Sequence, residues 1–142
     1  MSENRDRLGG HRTDRPALTQ YATTREGGSL VFFAGISGRR GDGTIPGVRD
    51  TQAGKSYDAA EQARGAFENL AALLRERGLD KTDIVDMTCY LVDMADYADL
   101  IDNWNRFFTE DAPPRTTVAV HQLPDPDLRI ELKAIAYRAA ST

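Results

Sequence analysis

Arg115 stands directly behind Pro113-Pro114 and directly ahead of the β-branched run Thr116-Thr117-Val118. Each proline fixes its own φ and neither can continue a helix, so the backbone that delivers this guanidinium is stiff. A guanidinium delivered in that way can be aimed, and its planar fork matches the two oxygens of a carboxylate. A solvated surface arginine is the other reading of the same residue. Glu131 sits inside the apolar run Ile130 to Tyr137. A carboxylate there is costly unless it is paired or put to use, for instance as a general base for water. The alternative is that it shares a solvated strand face with Lys133. Three further groups complete the inventory. Cys89 lies in a strand-like stretch with no recognisable base to activate it, and reads as a small buried hydrophobe. His121, ahead of Gln122-Leu123-Pro124, falls at a sheet end. Arg39-Arg40 opens a glycine-rich segment and is either an anion site or an exposed basic pair. The signatures GxGxxG, GxxxxGK[ST] and GxSxG do not occur.

Composition narrows the chemistry. The 142 residues carry 18 Lys plus Arg against 22 Asp plus Glu, a net charge of −4, and the cations are 15 Arg and 3 Lys with no basic run. Nucleic acid is therefore not expected as the main partner, because phosphate binding rests on clustered cations. One cysteine excludes an intrachain disulfide, and with two histidines it cannot build a Cys/His zinc site. Metal chemistry through carboxylates alone stays open. The longest apolar stretch, Leu30 to Ile36, is far short of the roughly 20 residues that span a bilayer. Met1 to Arg15 is charged throughout and lacks the apolar core of a secretory signal, so a cytoplasmic setting and no membrane partner are expected. The length suits one domain. Residues 1–15 read as a flexible N-terminal arm and residues 16–142 as the folded unit.

The elements that must position these groups follow from periodicity and caps. Ala17 to Tyr21 reads as a short first strand, and Leu30 to Ala34 as a buried central strand. Residues 35–55 form a hairpin or long loop, with Asp42-Gly43 marking a tight turn. Ser56 or Asp58 caps a helix that Gly78 stops, with Ala59, Ala63, Ala66, Phe67, Leu70, Leu73 and Leu74 on one face. Ile84 to Val92 is a strand, and the β-α-β order favours a parallel crossover. Asp96 caps a second helix through Phe108, and its apolar side is Tyr97, Leu100, Ile101, Trp104, Phe107 and Phe108. Thr116 to Val120 and Leu128 to Tyr137 are the last strands, the latter alternating between Ile130, Leu132, Ala134, Ala136 and Glu131, Lys133, Ile135, Tyr137. The expected class is α+β, with two helices packed on one face of a mixed sheet.

Several separated blocks resemble one family in order and spacing: Val31 to Gly38 (VFFAGISG), Glu61 to Leu73, Ile84 to Asp96, Pro114 to Val120 (PRTTVAV) and Ile130 to Ala136 (IELKAIA). That family is the Rid group, the YjgF-like imine and enamine deaminases, and the resemblance covers residues 17–138. The block Arg115 to Tyr137 and the segment Ser37-Gly38-Arg39-Arg40 are similar to its 2-aminomuconate deaminase branch. Members of the wider family carry a cysteine where Thr117 stands, and an asparagine where Ile101 stands. The resemblance implies a chorismate-mutase-like fold, a homotrimer with active sites between subunits, and no metal or organic cofactor. It implies that Arg115 binds the substrate carboxylate, that Glu131 orients water, that Tyr21 lines the site, and that the Gly35 backbone helps hold substrate. The implied reaction is hydrolysis of 2-aminomuconate to 2-oxohex-3-enedioate and ammonia, with a broad imino-acid deaminase or a non-enzymatic binding trimer as alternatives. A dicarboxylate substrate needs a second cationic contact, for which Arg39, Arg40 and His121 are the candidates.

Overall fold

The computed structural model describes residues 19–141. The arm expected over residues 1–15, and residues 17 and 18 of the expected first strand, lie outside the described residues. Of that strand Thr19 forms an isolated parallel bridge to Ala112, supported by Gln20 N–H donating to the Ala112 carbonyl at 3.0 Å.

Helix α1 (Ala59–Glu76) begins where Asp58, in extended backbone, accepts the Glu61 amide at 3.1 Å. Such a cap is worth about 1 kcal/mol. The chain leaves the helix through Gly78 at φ 69°, the left-handed conformation that glycine adopts without penalty. Ala59, Gln62, Ala63, Ala66, Phe67, Leu70 and Leu74 are its buried stripe, with Leu73 packed at the margin. Helix α2 (Tyr97–Phe107) starts differently from expectation. Asp93, rather than Asp96, caps the preceding turn by accepting the Ala95 amide at 2.9 Å, while the Asp96 carboxylate takes the Arg129 guanidinium at 3.0 Å. The helices meet through aromatic rings, Phe67 of α1 lying 5.0 Å from Phe107 and 6.4 Å from Trp104 of α2 between centroids.

Four strands form the main sheet in the order β1 (Ser29–Phe32), β6 (Ile130–Arg138), β4 (Ile84–Leu91), β5 (Arg115–Ala119). β4 and β5 are parallel, and the other two pairs are antiparallel. The sheet is mixed, and both helices cover one face of it. Ile130, Leu132, Ala134 and Ala136 of β6 and Met87, Cys89 and Leu91 of β4 turn to the helices and are buried; Glu131, Lys133, Ile135 and Tyr137 turn the other way and are half-buried. The parallel crossover with adjacent strands is β4-α2-β5. Across α1 the chain joins β1 to β4, which run the same way with β6 between them. A separate hairpin, β2 (Val48–Thr51) with β3 (Gly54–Tyr57), occupies part of the 35–55 segment. Asp42-Gly43 makes its own turn ahead of it, with Gly43 at φ 90° and its amide donating to the Arg40 carbonyl at 2.9 Å.

One expectation is corrected. The run Leu30 to Ala34 does not make a buried central strand; β1 is an edge strand, and Leu30 and Phe32 are 55% and 64% exposed. Their side chains follow Ile135 and Tyr137 onto the face away from the helices. The apolar run looked continuous because the ladder is irregular just beyond β1. Phe33 N–H donates to the Ala134 carbonyl and Ile36 N–H to that of Leu132, so Ala34 and Gly35 together oppose the single residue Lys133. That is a β-bulge, and it turns Ile36 inward beside Phe33. The Lys133 ammonium donates to the Phe33 carbonyl beside the bulge.

Candidate active site

Arg115 is the first residue of β5, paired with Met87 in register, and its side chain lies on the helix face. There its Nε donates to Thr117 Oγ1 at 3.2 Å and its Nη2 to the Tyr97 hydroxyl at 3.2 Å. The guanidinium carbon stands 4.7 Å from the Trp104 ring centroid, a cation–π contact across the sheet–helix interface. The stiff approach expected from Pro113-Pro114 is seen: the Pro114 carbonyl accepts the Met87 amide at 3.0 Å and pins the strand entrance. Tyr21 is an exposed residue just after the Thr19 bridge to Ala112, on the chain segment that runs beside the approach to β5.

Glu131 occupies the opposite face of the sheet, paired with Tyr90. Its carboxylate lies against the backbone of Gly35: a Cβ added to Gly35 would come within 2.8 Å of Glu131 Cδ, and closer still to Oε2. A side chain there would have to push the Glu131 carboxylate aside. Lys133, two residues along the same face, tethers the segment that carries Gly35. The structure therefore brings Gly35 and Glu131 together and keeps Arg115 apart from them, on the other face of the sheet with β4 between the two strands.

The remaining candidates are placed on loops beyond the sheet. Arg39 is committed to a neighbour, pairing with Asp125 at 2.8 Å and donating to the Gly43 carbonyl at 3.1 Å. Arg40 is exposed and donates to Thr44 Oγ1 at 3.1 Å. His121 is exposed in the bend after β5. Cys89 is fully buried beneath Thr117, and burial pushes its thiol up to about 12, so it holds its proton at neutral pH. Among the described residues no group of three or more His, Cys, Asp or Glu is placed to hold a metal ion. No described helix is long and apolar enough to cross a membrane.

Sequence reasoning missed the residues that hold these groups in place. Gln62, fully buried, donates to the Asp127 carbonyl at 2.8 Å and accepts the Arg129 amide at 2.7 Å, fixing the chain just before β6. Asn69, two turns along α1, donates to the carbonyls of Ser37 and Arg39 at 2.8 and 2.9 Å and shapes the loop after Gly35. Lys55 and the Tyr57 hydroxyl both reach Asp127, at 2.9 and 2.8 Å, and bind the hairpin to the same turn. The signal was present: Gln62 and Asn69 are amide side chains at helical spacing along or beside an apolar stripe, where a polar group needs a partner.

A family model described as endoribonuclease L-PSP matches residues 12–138. The chain belongs to this family, the Rid or YjgF-like proteins. The 2-iminobutanoate/2-iminopropanoate deaminase of Salmonella typhimurium is 39% identical over 125 residues, covering 86% of this chain and 90% of that protein. A RutC family protein of Pyrococcus abyssi is 34% identical over 118 residues, covering 83% and 86%. Among solved structures, Escherichia coli TdcF with bound serine superposes with a TM-score of 0.67 at 30% identity, over 84% of this chain and 94% of that one. The E. coli YjgF gene product gives a TM-score of 0.65 at 31% identity, over 81% and 84%. The Rid fold expected from the sequence blocks is thus the fold observed, with two helices on a mixed sheet.

Proposed function

We propose that this protein hydrolyses 2-imino and enamine acids to 2-oxo acids and ammonia, in a site shared between two copies of the chain. The observation that carries this reading is the division of the site residues. Arg115 is a fixed carboxylate clamp on one sheet face, while Glu131 and the Gly35 backbone are on the other, so one small substrate reaches both only when a second copy supplies the missing half. A closed ring of three copies provides such shared clefts. The name of the Salmonella relative, an iminobutanoate and iminopropanoate deaminase, supports the reaction class.

The chemistry needs little beyond these groups. An enamine is first protonated at carbon to give the iminium. Arg115 holds the adjacent carboxylate and so fixes the electrophilic carbon relative to Glu131, an entropic advantage worth several kcal/mol in well-oriented systems. Glu131 takes a proton as water adds to that carbon, forming a carbinolamine. The C–N bond then breaks, the nitrogen leaving with the proton returned by Glu131 or Tyr21, and the carbonyl forms. Water and iminium give oxo acid and ammonium, with no redox partner.

The named relative acts, by its name, on monocarboxylic imines, so the broad imino-acid class is preferred here to 2-aminomuconate alone. For a dicarboxylate, Arg40 and His121 are better placed than Arg39, whose charge Asp125 already meets. The deciding experiment measures ammonia release from 2-iminobutanoate, 2-iminopropanoate and 2-aminomuconate by the wild type, Arg115→Ala and Glu131→Ala, with an RNA substrate as control. Acceleration of at least one imine, lost in both variants, is expected. Ammonia release no faster than the uncatalysed reaction for all three, or RNA cleavage in its place, overturns the reading.

A further inference from the structure

Lys133 sits on β6 directly opposite the bulge, where Ala34 and Gly35 together face it across the ladder. The two ends of that bulge are held unequally. On the far side Ile36 and Leu132 exchange both backbone bonds, at 2.8 and 2.7 Å. On the near side Phe33 N–H reaches the Ala134 carbonyl at a longer 3.3 Å, and the Phe33 carbonyl takes the Lys133 ammonium. The buried Phe33 ring anchors that residue's side chain, but it does not set the rotation of the peptide that follows. The carbonyl belongs to the 33–34 peptide plane, so a charge-assisted bond to it does. Gly35 is one residue further on, in exposed backbone, and lies against the Glu131 carboxylate.

We propose that Lys133 is a positioning residue: by fixing the 33–34 peptide it holds the Gly35 backbone in place, and so sets where the Glu131 carboxylate stands. This rests on the reading of Glu131 as the group that orients water. An ammonium suits the task, because its four-carbon stem runs along the sheet face and its charge strengthens a single bond to a carbonyl. An apolar residue at position 133 would remove that bond and leave the near side of the bulge to the 3.3 Å backbone contact. Lys133 acts through the bulge and is assigned no contact with a reacting atom.

The test compares Lys133→Met, which keeps an unbranched stem and removes the donor, with Lys133→Arg, which supplies one again. Amide hydrogen exchange read by NMR and steady-state ammonia release from 2-iminobutanoate are measured on the intact protein. In Lys133→Met the Phe33 and Ile36 amides are expected to exchange about tenfold faster, a local opening, with the β4 amides unchanged. The kcat is expected to fall about tenfold, part of the roughly hundredfold that an ångström of misplacement costs, while KM stays within about twofold because Arg115 is untouched. Lys133→Arg is expected to recover most of both losses. Wild-type kcat in Lys133→Met, a fall in kcat without faster exchange at Phe33 and Ile36, or a loss that Lys133→Arg does not relieve overturns the positioning role. Faster exchange throughout β4 and β6 marks a general loss of stability and overturns it as well. Wild-type ammonia release in Glu131→Ala instead overturns the reading of Glu131 itself, so the two failures are told apart.

Discussion

Arg115 and Glu131 lie on opposite faces of one sheet, on strands separated by β4. Neighbouring strands are about 4.8 Å apart, so two strand spacings and the sheet thickness separate the groups. If each site takes Arg115 from one copy and Glu131 from another, mixing two dead variants restores activity. Arg115→Ala and Glu131→Ala, co-refolded in equal amounts, should recover about a quarter of wild-type turnover, since random mixing completes that share of the shared sites. Steady-state ammonia release checks this, and no recovery would place both groups of a site in one and the same copy.

Gly35 lies against the Glu131 carboxylate, which a side chain at that position would have to displace. Gly35→Ala should displace that carboxylate by an ångström or more and lower kcat about a hundredfold, the scale of loss when a reacting group is misplaced by that much. Folding should be nearly intact, because the bulge is exposed and Gly35 has no left-handed φ to lose. Kinetics together with a circular-dichroism melt separate the two effects.

Gln62 satisfies two backbone groups at once, the Asp127 carbonyl and the Arg129 amide. Gln62→Leu keeps much of the volume and strands both. The expected cost is about 2–4 kcal/mol, from one to a few kcal/mol for each buried unsatisfied group, read from the urea midpoint. A midpoint within experimental error of wild type would show that water replaces the amide.

Hydrogen bonds from Lys55 and Tyr57 hold the Asp127 carboxyl below its usual range. A depressed carboxyl contributes stability that is present above the ordinary aspartate pKa of about 3.9 and is lost as pH falls through the folded value. Asp127→Asn should therefore lower the melting temperature by a near-constant amount between pH 6 and 8, with the two profiles converging as pH falls below about 4 and the acid limb of the variant the flatter. Melting temperatures across pH 2.5–8 read it directly, and parallel acid limbs in the two proteins would exclude Asp127 as the titrating group.

The helices were legible in the sequence because caps and stripes agree: Asp58 and Gly78 bracket α1, and its buried positions repeat at helical spacing. The last strand was equally plain, since the inward set Ile130, Leu132, Ala134 and Ala136 alternates with the outward set without interruption. β1 was misread for a local reason. Leu30 and Phe32 face outward and Ile36, of the same parity, faces inward, and the two-against-one bulge that reverses the parity has no apolar signature of its own. Arg115, Glu131 and Gly35 were reached through the resemblance of whole blocks, and their types alone left them open. Sequence could not show that Arg115 and Glu131 point apart, because that depends on β6 inserting between β1 and β4. Nor could it show that Asp125 occupies Arg39, a pairing across 86 positions of chain.

Arg129 precedes Glu131 by two residues, and Asp96 is the residue before Tyr97. Their 3.0 Å ion pair joins the strand that carries Glu131 to the start of the helix that carries Tyr97. Under the proposed shared-site arrangement these belong, within one copy, to two different clefts. Cooperative kinetics whose Hill coefficient returns to one in Arg129→Gln would register the link, and wild-type kinetics that are already hyperbolic would count against it. If three copies close into a ring as proposed, every copy would connect the cleft on its one side with the cleft on its other, and the clefts would form a circuit in which each is wired to its neighbours.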